Sequence, residues 1–340
     1  MPRKTFRKVI TDDESVANIN PKNKKISELF LKEKDTRSSS ATIKGYQSDL
    51  NIFFVWNLLN NDNKFFIDIK KIEFADFFNY CINELQWNSA RFNRMRSCLS
   101  SLGLFIERFF DDDYPNFRNV ILKVVESMPK IFIREKTILN DDQVNGLLKY
   151  LLENKREQEA CWLALAVSSG ARFSELLRFT TDIIDENNVI FEGIFIEVSK
   201  KIKTKGRTKT GKMLTKYIIK DIFIPYYSKW LEKRAIVLND NNKEHNFIFI
   251  KKDGSPATEY DIRYWIADFE NFLKVPFYPH SLRHYSSTYL AKIGIPPQLI
   301  KELFGWESID MVELYNDMEV KDREWKELGN LREHLDKDYN

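Results

Sequence analysis

Four successive segments between residues 26 and 110 carry apolar side chains at three-to-four spacing, and only helices satisfy that period over so long a stretch. ISELFLKEK, TIKGYQSDLNIFFVWNLL, EFADFFNYCINEL and SARFNRMRSCLSSLGLFIERFF each present one apolar stripe. Ser38, Ser39 and Ser40, just ahead of Ala41, offer helix caps. The pattern predicts a compact four-helix domain over residues 26–128. Residues 1–25 are polar, with Lys and Arg at both ends, and are expected to form a flexible basic arm.

The period then breaks. DDDYPNF reads as a turn, and Pro129 followed by KIFIREKT reads as an extended linker over 129–138. A second domain is expected over 139–315. Its apolar segment EACWLALAVSSG predicts a helix ending at Gly170, and ARFSELLRF opens another. Residues 188–225 change texture: NVIFEGIFIEVSKKIK and MLTKYIIKDIFIP are β-branched and partly alternating, so strands are expected. The expected class is therefore mainly α, with a small β-sheet in the second domain. No internal repeat is evident.

Between the two strand-like runs lies KTKGRTKTGK. From Lys200 to Lys220 there are nine Lys or Arg and no acid. Such a hairpin repels itself unless a polyanion meets it, or else it is a solvated loop. Lys201 and Arg207 are its candidate phosphate contacts. In the helical domain Lys44, Arg91 and Arg94 form a second basic group, either a solvated face or a face laid against phosphates.

Composition narrows the classes. A chain of 340 residues that is 43% apolar can bury two cores. Cys81, Cys98 and Cys161 lie far apart with no C-x-x-C, which argues against a disulfide framework or a cysteine zinc site. No apolar run approaches the ~18 residues of a membrane span. The first residues, MPRKTFRKVITDDES, have no apolar core of a secretory signal. The net charge of +3 does not by itself announce a nucleic-acid partner.

Chemistry-bearing residues gather late in the chain. In PHSLRH, His280 and His284 are four apart and share a helix face. A third metal ligand is not evident, so no metal site is expected. His280 and Arg283 would make a donor pair for a phosphoryl oxygen, or a solvated face. Arg172 stands at a helix start after Gly170, with Glu175 three residues on: an anion site or a simple helix ion pair. In LFGWESIDMVELYND, Tyr315 follows Trp306 by nine residues.

GARFSELL, a basic hairpin, HSLRH, LFGWES and Tyr315, in this order and spacing over residues 168–316, resemble the tyrosine site-specific recombinases, also called the phage integrase family, of the Cre and Xer types. The resemblance implies the two-domain architecture of that family: a helical core-binding domain and an α+β catalytic domain that clamp a DNA duplex. It implies a catalytic set of Arg172, a hairpin lysine, His280, Arg283, Trp306 and Tyr315, with Glu175 in support. Trp306 stands where the family more often has His; its indole N–H can donate one hydrogen bond but cannot titrate. Three lysines fit the hairpin position. Lys203 fits if the strand runs straight on; Lys205 and Lys209 are the alternatives, and KTG at Lys209 looks like one common form of the motif.

The implied reaction is a transesterification. Tyr315 attacks a scissile phosphodiester, giving a 3′-phosphotyrosyl link and a free 5′-hydroxyl, and a partner strand's 5′-hydroxyl reverses the step. Bond energy is kept in the ester, so no ATP, metal or other cofactor is called for. The implied partners are double-stranded DNA with an inverted-repeat site, a homotetramer on that DNA, and accessory or host DNA-bending factors, in the cytoplasm at the nucleoid. After Tyr315, Trp325, Leu328, Leu331 and Leu335 repeat at helical spacing. This predicts an amphipathic tail helix over 316–340, packed on its own subunit or exchanged between protomers. Two other functions suit the same scaffold: type IB topoisomerase-like relaxation, and non-catalytic DNA binding.

Overall fold

The computed structural model describes residues 11–129, 137, 139–204 and 211–306. These form two compact units, the first within residues 11–129 and the second mainly within 139–204 and 213–306. The expected linker over 129–138 lies almost wholly outside the described residues, as does the tail helix over 316–340.

The first unit contains α1 (Asp13–Ala17), α2 (Pro21–Asp35), α3 (Ser40–Asn60), α4 (Lys71–Asn83), α5 (Ser89–Phe109) and the single turn α6 (Ile121–Val124). The four periodic segments are α2 to α5. Ser39 caps α3, its hydroxyl accepting from the Thr42 amide at 3.3 Å. The expected flexible arm over residues 1–25 is corrected where it is described: α1 lies at 13–17 and the first turn of α2 at 21–25. Ile19 is buried there, and so is Asn23, whose amide donates to the Lys64 carbonyl and accepts from the Phe66 amide. The polar composition hides this, because Asn23 satisfies backbone groups rather than water.

Aromatic rings fill this unit's core. Phe53 on α3 meets Phe77 on α4 edge-on at 4.9 Å and stacks near Phe74 at 5.8 Å. Phe78 meets Phe92 on α5 at 4.9 Å. Such pairs add to the area they bury. The segment leaving α6 is pinned back on α5: Asn93 both donates to and accepts from the Met128 backbone.

The second unit contains α7 (Asp141–Glu153), α8 (Glu157–Ser169), the single turn α9 (Phe173–Leu176), β1 (Val189–Ile190), β2 (Phe195–Glu197), β3 (Ile202–Thr204), β4 (Lys212–Leu214), β5 (Tyr217–Ile219), α10 (Lys220–Asp240), α11 (Glu259–Leu273), α12 (Pro279–Lys292) and α13 (Pro297–Phe304). Helix α8 is its axis. Every residue from Ala160 to Ser169 is buried, as a helix apolar on all sides must be. The order β1-β2-β5 forms one antiparallel sheet, with Ile196 opposite Ile218, and β3 and β4 pair as a second.

One expectation gives way. KDIFIP, read as strand, opens helix α10. The β-branched Ile222 and Ile224 suggested extension, but Phe223, Tyr227, Trp230, Arg234 and Leu238 are the buried residues, and their spacing is helical. Tertiary packing overrode local propensity.

Candidate active site

Helix α8 ends at Gly170, which adopts φ +53°. This is the left-handed conformation a glycine reaches without a Cβ penalty. The chain then turns sharply, and Arg172 caps the short α9. Glu175, wholly buried, reaches back: one carboxylate oxygen accepts from the Arg172 backbone amide at 3.1 Å, the other from the Arg172 guanidinium at 2.9 Å. Of the two readings of this helix start, an anion site or an Arg172–Glu175 pair, the pair is present, and the chain's own carboxylate fills the helix start. What faces outward is the guanidinium of Arg172, whose side chain is about 30% exposed.

A second cation shares that carboxylate. Lys216, just ahead of β5, is 1% exposed, and its ammonium donates to Glu175 at 2.7 Å. Burial alone would raise the Glu175 pKa. The Lys216 charge and the hydrogen bonds from Lys216 and Arg172 outweigh it and hold the carboxyl at about 2. For Lys216, burial pulls the pKa below its ordinary value, Glu175 pulls it back, and the Arg283 and Arg172 charges oppose that recovery. The asymmetry has a plain cause: Glu175 faces cations, whereas Lys216 faces one anion and two other cations. Sequence reasoning counted Lys216 among the hairpin's basic residues but missed this role. No local signal marked it, because Lys216 lies ahead of β5, whose burial does not alternate.

Helix α12 supplies the other cation. Arg283 is 2% exposed, which rules out a solvated face at that position. Its guanidinium donates to the Gly170 carbonyl, and to the Phe304 carbonyl at 3.3 Å. It also lies over the Trp306 and Phe304 rings at 4.9 and 5.2 Å. Two of its five N–H donors go to these carbonyls, and the contacts fix the plane of the group. Gly170 therefore ties Arg283 to the turn that carries Arg172. Trp306 is buried and meets Phe304 edge-on.

His280 opens the same helix on its accessible side, its ring 5.8 Å from that of His284. Desolvation, with the charges of Arg283, His284 and Arg172, lowers its pKa to about 4. These influences favour the uncharged imidazole at neutral pH. Among the described residues no group of three His, Cys, Asp or Glu is placed to hold a metal.

The basic hairpin is described at its roots only. Lys201 and Lys203 are exposed and alternate with the buried Ile202 and Thr204. The Lys203 carbonyl accepts from Arg178. Lys205, Arg207, Lys209 and Tyr315 lie outside the described residues.

In the first unit Arg91 and Arg94 of α5 come together on Asp49 of α3, and Lys44 is exposed elsewhere on α3. Asp49, wholly buried, pairs with Arg91 and, at 2.9 Å, with Arg94. Arg94 lies across Gly45, the neighbour of Lys44, so closely that a Cβ there would collide with it. Arg91 also covers the Trp87 ring at 4.5 Å. Arg94 and Lys44 keep exposed charge, while Arg91 is half-buried.

The family model described as "Phage integrase family" matches residues 137–321. The SPbeta prophage-derived recombinase-like protein YomM of Bacillus subtilis is 27% identical over 259 residues, 74% of each chain. Tyrosine recombinase XerC of Staphylococcus saprophyticus is 25% identical over 290 residues, 82% of this chain and 86% of that one. In fold, the chain is similar to a lambda integrase tetramer bound to a Holliday junction. The TM-score is 0.60 at 16% identity, covering 86% of this chain and 77% of that one. No described helix is long and apolar enough to cross a membrane.

Proposed function

The chain belongs to the phage integrase family, the tyrosine recombinases, and is an enzyme of DNA strand transfer; on that premise we propose that it recombines DNA at a specific inverted-repeat site through a 3′-phosphotyrosyl intermediate. The observation that carries this reading is the joining of Arg172 and Arg283 through Gly170, with Trp306 against Arg283 and His280 three residues before Arg283 on α12.

In the proposed step, the Tyr315 oxygen bonds to phosphorus and the bond from phosphorus to the 5′-oxygen breaks. A free tyrosine, with a pKa near 10, is ionised about once in a thousand at neutral pH, so its proton must be taken or shared. The uncharged His280 suits that task or a hydrogen bond to the phosphate. Arg172 and Arg283 face the charge that grows on the non-bridging oxygens, and preorganised donors of this kind commonly contribute about 10²–10³ in rate. Trp306 donates to a phosphate oxygen. A hairpin lysine gives a proton to the departing 5′-oxygen; Lys203 is our assignment, with Lys205 and Lys209 as alternatives. Glu175 orients Arg172. A partner strand's 5′-hydroxyl then attacks the phosphotyrosyl ester and frees Tyr315.

Lys44, Arg91, Arg94, Lys201 and Arg207 are the proposed phosphate contacts, which would make affinity strongly salt-dependent. The working assembly is a homotetramer on DNA, with accessory DNA-bending factors where the site requires them. The tail over 316–340 would link protomers. The reaction is placed in the cytoplasm, on nucleoid DNA.

The test is covalent trapping. Purified protein meets nicked duplexes made from DNA flanking its gene, and SDS-stable adducts are isolated and sequenced, with Tyr315→Phe as control. Adducts enriched at one inverted repeat and absent in the variant are expected. Adducts scattered over many sequences would indicate topoisomerase-like relaxation. Tight site-specific binding with no adduct, even with host extract, would indicate a non-catalytic binder.

A further inference from the structure

The proposed strand-transfer reading gives roles to Arg172, Arg283 and Glu175 but none to Lys216, the most deeply buried cation near them. Its side chain is 1% exposed, yet it is not set in the apolar interior alone: it donates to the Glu175 carboxylate oxygen that also caps the Arg172 amide. We infer that Lys216 is a positioning residue that shares Glu175 with Arg172, and so leaves the Arg172 guanidinium with uncompensated charge for the scissile phosphate.

The argument is one of charge. Glu175 carries a single negative charge, held by two cations at 2.9 and 2.7 Å. Arg172, Arg283 and Lys216 with Glu175 make three cations and one anion, so this cluster carries two net positive charges. A phosphodiester under attack approaches two negative charges, and a complementary fixed field lowers that state rather than the ground state. Without Lys216 the whole carboxylate would fall on Arg172. The guanidinium would keep its place but lose most of its field at the phosphate. Lys216 does not reach substrate itself, because it is enclosed on the protein side of Glu175. It acts through the return strand: its backbone carbonyl accepts from the Val198 amide at 3.0 Å, which fixes it to the sheet opposite β2.

The test measures single-turnover adduct formation on a synthetic duplex bearing the inverted repeat recovered by wild-type trapping. DNA affinity and folding are followed in parallel. Lys216→Met should remain folded below its melting transition and bind DNA within about threefold of wild type, while the rate at saturating DNA falls on the order of 10²-fold. The double variant Lys216→Met/Glu175→Gln removes one charge of each sign and restores the net charge of the cluster. It should recover at least about tenfold of the lost rate. A purely structural ion pair predicts instead that folded Lys216→Met cleaves at the wild-type rate, and that result would overturn the inference. A double variant as slow as the single one would also overturn it. Should Lys216→Met fail to fold, the double variant carries the test: a rate within about tenfold of wild type is expected, and a hundredfold loss refutes the charge argument. No adduct from wild-type protein on any flanking DNA would sink the recombinase reading itself, and this inference with it.

Discussion

The Phe304 ring occupies the space a side chain at Gly170 would need: a Cβ built there would overlap the ring. The same two residues offer the carbonyls that hold Arg283. Gly170→Ala should therefore do two things. The left-handed backbone costs about 1–2 kcal/mol with a Cβ present, before any displacement of the ring. Pushing Phe304 away also releases one hydrogen bond and one ring contact of Arg283. Thermal melting should show a clear loss of stability, and DNA cleavage by the protein that remains folded should be slowed. An unchanged melting temperature would contradict this packing.

Asp49 governs the basic face of the first unit. Its carboxylate is buried, while the Arg91 and Arg94 side chains on it are about 25% and 49% exposed. Removing a buried partner is costly, but these arginines can turn to water. Asp49→Ala should cost about 1–3 kcal/mol in denaturant unfolding, less than a fully enclosed pair would.

Arg94→Ala should weaken DNA binding with little dependence on sequence, and should lower the slope of log affinity against log salt by about one. Binding isotherms at several salt concentrations measure this directly. An unchanged slope removes Arg94 from the phosphate contacts.

Acid should loosen the second unit through Glu175. Its pKa is about 2 in the fold against 4.5 ordinarily, so the unfolded chain takes up the proton first as pH falls. The stabilisation is whole above pH 4.5 and is lost progressively toward pH 2, by at most about 1.4 kcal/mol per pH unit. Glu175→Gln should flatten that part of the stability curve. A wild-type curve equally flat between pH 5 and 3 would refute the role of the carboxylate.

His280 titrates the other way from an active-site acid. With its pKa lowered from 6.5 to about 4, the folded protein resists protonating it, so its contribution to stability falls as pH drops from about 6.5 toward 4. Proton NMR of the DNA-free protein should find its ring signals moving near pH 4. Titration near 6.5 would mean that its surroundings are wetter and less cationic.

Much of this is legible in the amino-acid sequence. Helices α2, α4 and α5 follow from apolar spacing, since a one-sided stripe leaves a helix few other places to go; α3 is marked by its apolar length, because Phe53 to Asn57 are buried in succession. The left-handed end at Gly170 also follows from sequence. What escaped has local causes. Ile222 and Ile224 mimic a strand, and only the wider spacing of Phe223, Tyr227 and Trp230 reveals α10. Asn23 looks like tail until its partners at residues 64 and 66 are known. Lys216 was hidden by its neighbours: in a run of nine basic residues, nothing local marks the one whose charge turns inward. The pairing of Arg91 and Arg94 with Asp49 escaped for the same reason, because a contact across 42 residues leaves no periodic trace.

The enclosure of Arg283 has a consequence for control. Two carbonyls and two aromatic rings hold its guanidinium in one orientation without DNA. The entropy of ordering that side chain has been lost at the folding step, so none remains to be lost on binding DNA. A group held by these contacts is a poor element to be off in the free protein and on in the assembly. Whatever timing separates binding from cutting has to be exercised by other residues, upon a cation that is always ready.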